Sequence, residues 1–261
     1  MIYVITSDKG GVGKTTTAIS IASILSDAGK KFKLIEIDNS NNSLLFKNSK
    51  VLNQEDIKSV KLSQKDIIVS DMLFDLMSNP KMDYIVDIGG GDDTKPVIQK
   101  LKKINLTKTW VIPVTRIKKY LANAVNTHQL IDEKDNCVFC LNMYTNFENI
   151  QNEFVHFFGN EKLGIKQYSS IFKNSKIIGI PFSHHFELAS DDEQTILDVA
   201  KISIEKSEDE ARTEFFALSK SDREKFNKMM MLYWRSEEAA SVFNEIKQNC
   251  SILIKKTNKE A

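Results

Sequence analysis

The chain has 261 residues, 41% of them hydrophobic, with 36 Lys and Arg against 35 Asp and Glu for a net charge of +1. This length and apolar content suit one large α/β domain, or a domain with an appendage, and exclude disordered and fibrous classes. The near-neutral balance excludes a chain drawn by bulk charge to nucleic acid or membrane, and no apolar run approaches the roughly 20 residues of a membrane-spanning helix.

Residues 1–6 (MIYVIT) are short, apolar and β-branched, and read as a first strand standing where a signal peptide would be, so the expectation is a cytoplasmic protein. The stretch KGGVGKTTT follows over residues 9–17. It leads into a helix over 15–29, with Ala18, Ile21, Ala22 and Leu25 at helical spacing and Gly29 as the stop. A strand, a glycine-rich turn, a Lys-Thr pair and a helix form the context that a phosphate-binding loop requires. Gly10, Gly11 and Gly13 let backbone N–H groups converge on phosphate oxygens at a helix N-terminus, and Val12 and Thr16 belong to the same nucleotide-binding set. Lys14 then places its ammonium on the β- and γ-phosphates of ATP, and the Thr15 hydroxyl completes a Mg2+ shell.

Residues 32–38 (FKLIEID) read as a second strand ending in Glu36 and Asp38, on the ligand side of an open sheet. A polar turn, a short strand around 59–62 and a helix over 65–78 come next, the helix closed by Pro80. Its apolar set is Ile68, Val69, Met72, Leu73, Leu76 and Met77. Residues 84–88 (YIVDI) form a strand ending at Asp87, a carboxylate placed to hold magnesium through water. Gly89, Gly90 and Gly91 permit backbone near a γ-phosphate and a hinge, and Asp92, Asp93 and Thr94 are N-cap residues for a helix to about residue 103.

A strand over 109–114 and a helix with Ile117, Leu121, Ala124, Val125, His128 and Ile131 inward follow, His128 reading as a core histidine. Cys137 and Cys140 have C-x-x-C spacing but sit on a strand over 137–143, where residues three apart face opposite ways, which disfavours a shared metal. Three cysteines, with Cys250, also argue against a disulfide framework. Thr145 and Glu148 suggest a capping box for a helix through about residue 158, and 176–181 (KIIGIP) is the last clear strand. His184 and His185, being adjacent, are expected to point different ways. A closing helix spans 192–202, after which the chain turns all-helical. Ser207 with Glu210 and Ser221 with Glu224 fit capping boxes. Phe226, Met229, Met230, Tyr233 and Trp234 form a stripe that packs on the domain or across a dimer, with docking of a partner protein as the alternative.

A lysine directly before the paired glycines, Lys9, with Asp8 where the general loop has its first glycine, resembles the deviant Walker A loop of the ParA/MinD family of ATPases. The ordered set of that loop, Asp38, Asp87, Asn142 and the IPF sequence of 180–182 extends the resemblance over residues 1 to about 200. It implies an α/β fold with a mostly parallel twisted sheet and helices on both faces, to which the all-helical tail adds a C-terminal extension. Residues 1–205 are then the ATPase domain and 206–261 the extension packed on it.

By the same resemblance Lys9 reaches the partner's nucleotide in an ATP-state homodimer, Asp38 lies near the attacking water, Asn142 bonds the adenine, and Pro181 and Phe182 lie beside the base. Glu36, Asn39 and Ser40 depart from the family's D-x-D-P-Q pattern. The GGGDD run looks like plasmid and conjugative-element members, which implies a centromere-binding or transfer partner protein and nonspecific DNA binding. A MinD-like membrane-associated positioning ATPase, with 242–256 as an anchor, and a small-molecule enzyme on the same fold are the alternatives.

Overall fold

The computed structural model describes residues 1–38, 46–91, 94–131 and 136–254, apart from the Ile68 side chain. The polar turn with Asn39 and Ser40, the N-cap residues Asp92 and Asp93, and Lys255 and Lys256 at the end lie outside the described residues.

Short Val- and Ile-rich runs become strands because a central strand of a parallel sheet is covered on both faces and needs apolar residues on both. The strands are β1 (Ile2–Ile5), β2 (Phe32–Ile37), β3 (Ile57–Val60), β4 (Asp83–Ile88), β5 (Lys108–Val114), β6 (Asn136–Tyr144) and β7 (Lys176–Pro181). They form one seven-stranded sheet in the order β3-β2-β4-β1-β5-β6-β7. Every pairing is parallel, so all C-terminal ends share one edge. β1 lies between β4 and β5, where the chain changes direction across the sheet, and the loop after β1 therefore opens at a topological switch point.

One face of the sheet is covered by α2 (Lys65–Ser78), α3 (Thr94–Lys102) and α4 (Lys118–Leu130), with an aromatic group of Phe139, Phe154, Phe157 and Phe172. The other face carries α1 (Lys14–Asp27), α8 (Ile196–Glu205) and α10 (Arg223–Asn249). Two short turns, α5 (Ile150–Glu153) and α6 (Val155–Phe158), follow β6, α7 (His185–Asp191) follows β7, and α9 (Glu208–Ser219) precedes α10. The expected sheet with helices on both faces is thus what the chain forms.

The tail is held by specific burial. Phe243, Ile246 and Leu253 sit in the same core as α1, and the Tyr3 hydroxyl donates to the Leu253 carbonyl at 3.1 Å. The apolar residues of the segment considered as a membrane anchor are therefore largely spent inside the protein. No helix among the described residues is long and apolar enough to cross a membrane.

Several local expectations are corrected. The Thr145 box does not form: the Thr145 hydroxyl donates to Glu153 at 2.6 Å, Asn146 accepts from the Glu148 N–H, and the helix breaks at Phe154. The Ser221 box also fails, because Ser221 has φ 69, outside the extended region an N-cap needs, and Asp222 caps α10 instead. The Ser207–Glu210 box forms on both sides. Ile117 and Met77 are exposed rather than inward, while Met230 and Tyr233 are buried and Trp234 is half exposed. Cys137 packs on the α2–α4 side of the sheet and Cys140 on the α1 side, as strand alternation requires.

Candidate functional site

A loop over residues 6–13 joins β1 to α1. Gly11 and Gly13 have φ 73 and 85, left-handed values that glycine adopts without strain. At Gly13 a side chain is excluded twice, since a Cβ there would lie 2.6 Å from the Asn142 amide nitrogen. The turn starts α1 with no side-chain cap and no acidic residue in the first turn, so its first N–H groups and the helix dipole face the cleft for an anion.

The underside of the loop is braced. The buried Asn142 amide donates to the Val12 carbonyl at 2.9 Å and the Thr17 hydroxyl at 3.1 Å, with the Gly13 carbonyl at 3.3 Å. Its oxygen accepts from the Cys140 thiol at 3.0 Å. Thr17 in turn donates to the Gly13 carbonyl at 2.7 Å, and the Thr127 hydroxyl accepts from the Asp8 N–H at 3.1 Å. Both ends of the Asn142 amide, expected as an adenine contact, are bonded inside the protein, because β6 ends beneath the loop. Val12 is likewise buried and points inward. Burial pushes the Cys140 thiol well above its usual range, so it serves as a packed donor, not a reactive thiolate.

Above the loop is a cleft of about 590 Å³ lined by Lys9, Gly10, Gly11, Gly13, Lys14, Thr15, Thr16, Glu36, Asp38, Asp87 and Gly89 to Gly91 among others. Lys14 turns inward, donating to the Lys9 carbonyl at 3.2 Å, and burial lowers its pKa while Asp87 and Asp38 oppose that shift. Lys9 is exposed at the rim and pairs with no acidic side chain among the described residues. Asp38 abuts Gly89, where a Cβ would lie 2.9 Å from the carboxylate carbon; at Gly90 a Cβ would lie 2.9 Å from the Gly10 nitrogen. The backbone after β4 therefore lies directly on the phosphate loop, and only glycine allows that approach.

Glu36 and Asp87 are register partners on β2 and β4. Asp87 is buried and accepts from the Thr15 hydroxyl at 2.8 Å, while its other oxygen has no hydrogen-bond partner among the described residues. Burial pushes its pKa up to about 7; the Thr15 hydrogen bond and Lys14 oppose the shift, and Glu36 and Asp38 add to it. An orphaned buried carboxylate oxygen beside a threonine hydroxyl is the hard oxygen set that Mg2+ takes, so Thr15 and Asp87 fit that ion.

The raised pKa has a measurable consequence. Between pH 3.8 and about 7 the fold holds a proton that the unfolded chain has lost, so stability falls as pH rises through that window. Thermal melts without magnesium, run from about pH 5 to 8, are expected to show Tm falling with pH for the wild type and a flatter profile for Asp87→Asn. Parallel slopes would remove Asp87 as the titrating group.

Pro181 and Phe182 do not line this cleft: Pro181 is buried at the end of β7, and Phe182 is 61% exposed with its N–H on the Tyr144 carbonyl at 2.7 Å. The bracing roles of Thr17, Thr127 and Cys140 carry no sequence signal, since a lone Thr or Cys on a buried element looks like core.

A parallel sheet with a glycine-rich phosphate loop after its central strand, a lysine folded into it and a Thr–Asp pair at its mouth defines a P-loop nucleotide-binding protein. The chain belongs to the CobQ/CobB/MinD/ParA nucleotide-binding domain family, whose profile matches residues 3–249. No curated protein matches the sequence. In fold it is similar to the septum site-determining protein MinD complexed with Mg-ADP from Pyrococcus horikoshii OT3, at 12% identity over 97% of each chain and TM-score 0.52. It is also similar to the MinC:MinD cell division protein complex of Aquifex aeolicus, at 18% identity over 79% of this chain and 96% of that one, TM-score 0.51.

Proposed function

We propose that the protein is a slow ATPase that works as a dimerising switch, with two copies associating across their bound ATP. The observation that carries this reading is the division of labour between two lysines of one loop: Lys14 is folded into the cleft, and Lys9 is exposed at its rim. Lys14 and the N–H groups from Gly10 to Thr16 hold the phosphates of the same chain. Lys9 extends from the rim to the nucleotide of the second copy, where a cation counters the charge that develops on the transferred phosphoryl group. Mg2+, held at Thr15 and Asp87, neutralises phosphate charge when bound. Asp38, beside Gly89, orients the attacking water.

Closing the cleft with ATP and reopening it after hydrolysis would time the association, with the glycine run 89–91 as the moving backbone. For the cargo we favour plasmid or mobile-element partition, stability or conjugative transfer, supported by the triple glycine after Asp87. A centromere-binding or transfer protein is the partner we infer, and the protein would act in the cytoplasm. DNA would be held nonspecifically by exposed Lys102, Lys103, Lys118 and Lys119; Lys100 and Arg116 in the same region are paired with Asp66 and Glu153. The burial of Phe243, Ile246 and Leu253 disfavours the membrane-anchored alternative.

Asp38→Ala tests the switch. ATP affinity should stay within about threefold while turnover falls on the order of 10²-fold or more, and the ATP-bound dimer should persist. A dimer that dissolves at the wild-type rate would clear Asp38 of any role with water.

A further inference from the structure

We propose that His184, His185 and Glu238 form a binding site for a divalent transition-metal ion of the zinc class, separate from the magnesium position, which fastens the start of α7 to α10. One donor atom from each side chain lies within 4.8 Å of the other two. The His185 Nε2 is 3.1 Å from a Glu238 carboxylate oxygen, and the two imidazole centroids are 4.1 Å apart. Adjacent histidines expected to diverge converge here because His184 caps α7 with helical φ and ψ of −66 and −18. Successive side chains at a helix start are about 100° apart, not opposed as on a strand.

Tetrahedral zinc with bonds of about 2.0–2.1 Å needs donors about 3.3 Å apart. The His185–Glu238 pair already meets that spacing. His184 is exposed and the Glu238 side chain is 68% exposed, so both can turn inward by the remaining distance. Two imidazoles and one carboxylate are a borderline-soft set that favours zinc, cobalt or nickel over magnesium. His185 is buried, and the ring nitrogen it presents to Glu238 is Nε2. Arg235 adds positive charge nearby, but it is paired with Asp192 at 2.9 Å.

The site would tie together two parts of the chain that sequence reading left unconnected. α7 follows directly on Pro181 and Phe182, and α10 is the long helix of the tail. An ion there cross-links the two and should stabilise the fold by mass action.

The test is titration of the metal-stripped full chain, free of nucleotide, with Co2+ and then Zn2+. One cobalt ion per chain should bind with ligand-field bands of nitrogen and oxygen ligation and no thiolate charge-transfer band, and zinc should displace it with a rise in Tm. His184→Ala and Glu238→Gln, both at exposed positions, should each weaken binding at least about tenfold, with metal-free melts unchanged. Asp87→Asn should leave cobalt binding unaltered. The proposal is overturned by no stoichiometric binding at roughly micromolar metal, by unchanged affinity in both site variants, by thiolate bands that move the ion to the cysteines, or by loss of binding in Asp87→Asn.

Discussion

Lys14→Ala is expected to weaken ATP binding by about 100- to 1,000-fold, equivalent to about 3–4 kcal/mol, while the chain stays folded. The ammonium is turned into the cleft, whereas Lys9, the other lysine of the cleft lining among the described residues, is exposed at the rim. A charge-assisted hydrogen bond contributes about 1.5–3 kcal/mol, and one ammonium can serve two phosphate oxygens. The fold should tolerate the change because, among the described residues, the bond lost is the one to the Lys9 carbonyl, at the exposed end of the loop. Titration with a fluorescent ATP analogue measures the affinity, and retained wild-type binding would overturn the phosphate-loop assignment.

Lys9→Ala is expected to separate binding from association. ATP affinity should remain within about threefold, since Lys9 is exposed at the rim and the ammonium folded into the cleft is that of Lys14. Turnover should fall on the order of 10²-fold or more, because a cation delivered in trans to a developing phosphoryl charge contributes about 10³–10⁵ in other P-loop enzymes. Steady-state hydrolysis at saturating ATP reads the effect. Turnover equal to wild type would return Lys9 to an ordinary solvated surface residue.

The parts of the fold and site that were legible in the sequence are those set by local chemistry. α2 and β7 have the bounds expected from their apolar residues, with Pro80 closing the helix. The glycines, Lys14, Thr15, Asp38 and Asp87 converge on one cleft because each sits at a strand end or helix start, which the parallel sheet collects along one edge.

What was not legible depends on partners distant in sequence. Asn142 at a strand end has the same sequence appearance whether its amide meets a base or the underside of the loop; only the path of β6 decides. α7 is missed because its seven residues hold three apolar side chains, of which Ala189 alone is buried, too few to show a period. The failed boxes at Thr145 and Ser221 are each replaced by a cap one residue later, Asn146 and Asp222, so the local signal was present but the backbone chose its neighbour. The two histidines diverge on paper and meet in space because they start a helix.

The most direct test of the central claim, association timed by ATP, is the solution mass of the wild-type chain by light scattering with Mg-ADP and with Mg-ATP. A monomer of 29.7 kDa with ADP and a particle of twice that mass with ATP, reverting to monomer in Lys9→Ala, is the predicted result. The same mass with both nucleotides, or an ATP dimer that Lys9→Ala leaves intact, would contradict it.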